Sequence, residues 1–213
     1  MLGVRDKVVL IACNGQLGKA LGFVFAQNRA HTYLAGRDKK ELESMLELIK
    51  EKNYTATPVE ADMSDGKGVK KAIGLISERH SQIDVLAFAF GEEAGQSNLE
   101  TAAREALPLL KRARAASIIS ICAHGNAEQA AEATERLAKE LIQYGIRANC
   151  LYYREMGMEF NPDNHILAGR TLGESKTNPL DVANLALFLA MDDSFWINGQ
   201  SIAVDGGMGL VKE

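Results

Sequence analysis

The segment Ala12-Cys13-Asn14-Gly15-Gln16-Leu17-Gly18 joins an apolar strand, Val8 to Ala12, to an apolar helix, Leu17 to Asn28. A turn of this kind aims backbone N–H groups and a helix N-terminus at one point, where a pyrophosphate can sit. Gly15 permits close approach of the phosphates, and Gly18 permits tight contact between helix and strand. The usual dinucleotide fingerprint opens with one more glycine; here Ala12 or Cys13 stands in that place. The contacts expected from this turn are Ala12, Asn14, Gly15, Gln16, Leu17 and Gly18. A tight turn that holds no ligand is the competing reading.

A second signal follows the next strand, at Ala35-Gly36-Arg37-Asp38. An NAD site usually places a carboxylate here for the ribose 2′-hydroxyl, whereas an Arg suits the 2′-phosphate of NADP. A guanidinium can grip a phosphate with two parallel hydrogen bonds. Arg37 therefore favours NADP(H) over NAD(H), and Asp38 is expected to cap the following helix. An Arg that merely faces solvent is the alternative, and with it a chain that binds no cofactor.

Hydride chemistry on such a cofactor also needs a proton donor. His124 has a suitable ordinary pKa and lies just after a strand, at the edge where ligands bind. Tyr153 follows the next strand, beside Arg154. Neighbours in an extended segment point opposite ways, so a phenol–cation pair there is disfavoured and a pocket wall is the competing role. Cys13 and Cys122 fall close by and read more simply as small buried hydrophobes.

Short apolar runs and amphipathic stretches alternate along the whole chain, and these elements must position the groups above. Strands are predicted at Val8–Ala12, Thr32–Ala35, Ala56–Glu60, Ile83–Phe90, Ser117–Cys122, Arg147–Tyr152 and Ser201–Val204. Helices are predicted at Leu17–Asn28, Lys39–Lys50, Gly68–Arg79, Asn98–Arg112, Ala127–Tyr144 and Leu180–Met191, the last with Asn178 as cap. Regular β-α-β alternation implies an α/β domain, a doubly wound parallel sheet of about seven strands with helices on both faces. Tyr153 to Thr177 is expected to be one long irregular loop.

The 213 residues fit one domain. A formal charge of −4 argues against nucleic acid. No stretch is long and apolar enough to span a bilayer. Three cysteines, an odd count, point to reduced thiols and a cytoplasmic setting. No metal-ligating cluster stands out.

These residues resemble the short-chain dehydrogenase/reductase family along nearly the whole chain. Arg5-Asp6-Lys7-Val8-Val9-Leu10 is similar to its opening strand, and Gly145-Ile146-Arg147-Ala148-Asn149 to the run into its sixth. The tail resembles it most, through Pro179-Leu180-Asp181-Val182-Ala183-Asn184 and Ile197-Asn198-Gly199-Gln200-Ser201-Ile202-Ala203-Val204-Asp205-Gly206-Gly207. The resemblance implies a Rossmann-type fold, a nicotinamide dinucleotide and a small carbonyl substrate. Through Ala61-Asp62-Met63-Ser64-Asp65 it implies that Asp62 and Met63 meet the adenine. Phe90 and Gly91 lie where the family has its Asn-Asn-Ala-Gly turn. It also implies a homo-oligomer built on the two helices before the sixth strand.

The departures from the family cluster in one region. Ala123 stands where the family has its catalytic Ser. Nowhere does a Tyr precede a Lys by four residues, although the family's chemistry uses that pair. Counting back from Leu137-Ala138-Lys139, the Tyr and Lys places fall on Ala123 and Ala127, so the intervening loop is largely missing. Three functions follow: an NADP(H)-dependent oxidoreductase with displaced groups and weak or lost activity, a non-catalytic nucleotide-binding or partner-binding scaffold, or a structural dimer module that binds no nucleotide.

Overall fold

In this computed structural model, residues 3–12, 14–89, 97–157, 159–163 and 176–210 are described. The strands are β1 (Val8–Ala12), β2 (His31–Gly36), β3 (Thr57–Glu60), β4 (Val85–Ala89), β5 (Ser117–Ala123), β6 (Arg147–Tyr153), β7 (Glu155–Met156), β8 (Lys176–Thr177) and β9 (Ser201–Ala203). The helices are α1 (Gly15–Gln27), α2 (Lys39–Glu51), α3 (Gly66–Ser77), α4 (Ser97–Leu110), α5 (Ala127–Leu141) and α6 (Pro179–Ala190).

Seven strands form one sheet in the order β3-β2-β1-β4-β5-β6-β9, with every pairing parallel. The strand order reverses between β1 and β4, which opens a crevice at their C-terminal ends. Alternate side chains feed two cores. Val8 and Leu10 join a core with α3, α4 and α5; Val9 and Ile11 join one with α1, α2 and α6. Burial on both faces explains why these strands read as continuous apolar runs.

The caps follow the sequence. Asp38 accepts the N–H of Lys40 at 2.8 Å and of Glu41 at 3.2 Å. Asn178 accepts the N–H of Leu180 at 2.9 Å, with Pro179 in the first turn. Helix α3 starts before the predicted Gly68, because the Asp65 carboxylate accepts the Gly68 N–H at 2.6 Å. Helix α5 gives way to a single tighter turn, Ile142–Tyr144, and Gly145 ends it at φ 70°.

The stretch after β6 departs from a plain loop. Its two ends pair as a parallel ribbon, β7 with β8. Gly157 makes the ribbon possible, since a Cβ there would lie 2.1 Å from that of Lys176. Segments far apart in the sequence are tied together as well. The Lys7 ammonium donates to the Ala190 carbonyl at 2.9 Å and pairs with Asp192 at 2.7 Å, while α6 lies against α1.

Candidate active site

The cradle is built where β1, β2 and β3 end. Gly15 opens α1 with φ 66°, a left-handed conformation that favours glycine. The first amides of a helix lack intrahelical partners. The N–H of Gly15 instead donates to Oε1 of Glu41, from the first turn of α2. Gly18 is buried and donates to the Asn14 carbonyl at 3.1 Å. Gly36 brings β2 against this turn; a Cβ there would stand 3.0 Å from Oδ1 of Asn14.

Arg37, exposed, and Asp62, half-buried, face each other across the rim at 3.7 Å. The Ser64 hydroxyl and Ser64 N–H donate to Asp62 at 2.5 and 2.8 Å. These hydrogen bonds, with the Arg37 charge behind them, hold the Asp62 carboxyl below its ordinary value. Gly68 lets α3 pack under this segment, since a Cβ would lie 1.9 Å from the Asp62 carbonyl oxygen.

Two of the predicted contacts turn their side chains away from the crevice. Leu17 and Met63 are buried in opposite cores, so each offers a ligand its backbone. Gln16 accepts the N–H of Phe160 at 2.9 Å. Phe160 is buried against Phe23, with ring centroids 5.6 Å apart, and Asp163 pairs with Lys52 at 2.6 Å. A strap from the far side of β6 thus crosses the start of α1. Ala12 is buried at the end of β1. Phe90, Gly91 and Cys13 lie outside the described residues.

At the other end of the crevice, β5 finishes at Ala123 and α5 begins at Ala127, with the tight turn His124–Asn126 between them. Register pairs Cys122 with Tyr152 and Ala123 with Tyr153. His124 is exposed, and its ring lies 5.8 Å from that of Tyr152. Tyr152 packs on the α3–α5 core, whereas Tyr153 packs on the α1–α6 core. His124 and Tyr153, the two proton-donor candidates, therefore sit on opposite faces of the sheet. Arg154 reaches the Met208 carbonyl at 3.5 Å.

The face of α5 that carries Ala130, Ala133, Leu137 and Leu141 is buried on its own sheet. It is held there by the hydroxyls of Thr134 and Ser120, 2.6 Å apart. The outward side of α5 is charged: Glu135 pairs with Lys139 at 2.6 Å, and Arg136 reaches Glu100 of α4 at 2.9 Å. Cys122 and Cys150 are buried free thiols in the α3–α5 core.

The profile described as short chain dehydrogenase matches residues 6–158, and a second, Enoyl-(Acyl carrier protein) reductase, matches residues 125–209. The chain belongs to the short-chain dehydrogenase family. Members of this oxidoreductase family bind nicotinamide dinucleotides. The chain is 28% identical over 238 residues to 3-oxoacyl-(acyl-carrier-protein) reductase of Chlamydia pneumoniae, covering 93% of this chain and 96% of that protein. It is 26% identical over 256 residues to secoisolariciresinol dehydrogenase of Forsythia intermedia, covering 97% and 90%. Two solved structures share the fold. Glucose dehydrogenase of Caenorhabditis elegans superposes with a TM-score of 0.83 at 22% identity, over 98% of this chain and 99% of that one. L-sorbose reductase of Gluconobacter frateurii, complexed with NADPH and L-sorbose, gives 0.82 at 20%, over 99% of each. The Chlamydia alignment spans 238 positions against 213 residues here, so that short-chain dehydrogenase relative carries residues this chain lacks.

Sequence reasoning missed Glu41, Tyr152 as the partner of His124, and the Phe160 strap. Parity could have found the second: Cys122 and His124 alternate onto one face, and register places Tyr152 beside Cys122. No local signal marks the other two, because both contacts are tertiary.

Proposed function

We propose that this short-chain dehydrogenase homologue binds a dinucleotide, NADP(H) in preference to NAD(H), and has weak or lost carbonyl/alcohol redox activity. One observation carries the reading. Only the three residues His124–Asn126 separate β5 from α5, and Ala123 and Ala127 flank them. That junction has no room for the family's active-site loop.

The adenine end fits the cofactor. Gly15 already presents its N–H to an anion, the Glu41 carboxylate. Gly36 and Gly68 keep the rim free of Cβ atoms that would collide with Asn14 and Asp62. Arg37 would hold a 2′-phosphate, and Asp62 the adenine side. A bound nicotinamide dinucleotide supplies or takes the hydride. The chain's own task is then to orient a small carbonyl compound and move a proton at its oxygen.

A free phenol titrates near ~10, and lowering it by about three units needs roughly 4 kcal/mol from a neighbouring cation. Arg154 is turned to Met208. His124, its ring tilted against that of Tyr152, is the proton donor this reading assigns among the described residues, and Tyr153 serves as a wall. Loss of a positioned acid removes about 10²–10⁴-fold of rate. The same geometry suits a scaffold that binds the nucleotide without turnover. Self-association is assigned to the outward, charged surface of α4 and α5, and the setting to the cytoplasm.

NADPH fluorescence titration is the first test; absence of saturable binding ends the proposal. Cofactor oxidation over a panel of ketones and aldehydes then follows, for the parent and His124→Ala. Turnover near about 10 s⁻¹, ordinary for an enzyme, refutes the loss of activity. Equal slow rates in the two proteins acquit His124.

A further inference from the structure

Glu41 stands three residues after the Asp38 cap of α2. A Glu at this position commonly folds back on the N-terminus of its own helix. Here its Oε1 crosses to α1 and accepts the N–H of Gly15. That donor is the one the dinucleotide reading assigns to a phosphate. Asp38 and Asp62 add negative charge to the same rim, and Arg37 leans toward Asp62 at 3.7 Å. Two anions cannot share one N–H, and they repel as they approach.

We propose that Glu41 is a resident anion that competes with a phosphate of the dinucleotide for the Gly15 amide and so sets the affinity of the cradle. This rests on the dinucleotide reading. Binding requires the Glu41 side chain to swing off Gly15. The side chain lies on the first turn of α2 and is part-exposed, so the swing leaves the helix in place. The competitor is an anion of the protein itself, so ligands without phosphate are indifferent to it.

The test compares the parent with Glu41→Gln, which keeps the shape and removes the charge, and with Glu41→Ala. NADPH, NADH and adenosine are titrated into each. The Gly15 amide is followed by ¹H–¹⁵N NMR without ligand, and a melting curve confirms that each variant is folded. Both variants should bind phosphate-bearing ligands about three- to tenfold more tightly, the scale of one exposed charge-assisted hydrogen bond. Adenosine affinity should be unchanged. The Gly15 amide should shift in the variants, and in the parent on adding NADPH. A gain for both NADPH and NADH places the pyrophosphate at Gly15; a gain for NADPH alone places the 2′-phosphate there. Either upholds the proposal. Saturable binding of equal or lower affinity in the variants overturns the competition and leaves the dinucleotide reading intact. No saturable binding in parent or variants overturns both.

Discussion

The two ends of the crevice differ in what fills them. At β1, β2 and β3, glycines stand where side chains would collide, and charged groups ring the rim. At β5 and β6, Ala123 and Ala127 close the junction, and hydroxyls and thiols are spent on packing. One end is shaped as though something must fit; the other is shaped to be filled by the protein.

The sharpest way to break this contrast is steric. Gly68→Val puts side-chain atoms into the Asp62 backbone, where even a Cβ would lie 1.9 Å from the carbonyl oxygen. It should cost about 3 kcal/mol in urea unfolding. Gly125→Ala at the other end meets nothing within 4 Å. It should stay within about 0.5 kcal/mol of the parent. Similar losses at the two sites would erase the distinction.

Arg37→Ala comes next. It should weaken NADPH by about tenfold in a fluorescence titration and leave NADH unchanged. Equal weakening of both would move Arg37 out of the 2′-phosphate role. Thr134→Val removes a buried partner of Ser120, 2.6 Å away, and should cost about 1 kcal/mol of stability without altering NADPH affinity. A change in affinity would mean that the β5–α5 region still communicates with the cradle.

The smallest effect lies far from the crevice. The ring of His80 lies 5.0 Å from that of His31 and edge-on to Tyr33. Burial first, then the charges of His31 and Arg79, push the His80 imidazole below its ordinary 6.5, against a partial opposing pull from Asp84. The unfolded chain then binds more protons than the native one between the two values. Stability is therefore full above 6.5 and falls as the pH drops toward the lower native value. His80→Gln should flatten that part of a melting-temperature profile. An unchanged slope would clear His80 of the effect.

Much of the fold was legible because periodicity and capping are local. The apolar runs of β4 and β5, Asp38 at one helix start and Asn178 at another place elements within a few residues. The tail motif fixes the last strand through contacts its own residues make: Asn198 accepts the Ala148 N–H at 2.9 Å, and Asn149 accepts that of Gln200 at 3.0 Å. The ribbon of β7 and β8 was not legible, since two-residue strands carry no period. Within the site, the glycines of the turn and Arg37 could be read from spacing. Glu41 on Gly15, Gln16 on Phe160 and the separation of His124 from Tyr153 by the sheet depend on distant segments meeting.

The contact of α6 with α1 bears on biosynthesis. Nearly every residue of α1 from Leu17 to Ala26 is buried, and part of that shelter comes from a helix made some 160 residues later. A ribosome-bound fragment therefore displays a sticky first helix until the final quarter of the polypeptide has emerged. Chaperone demand during translation should track how long that last helix is delayed.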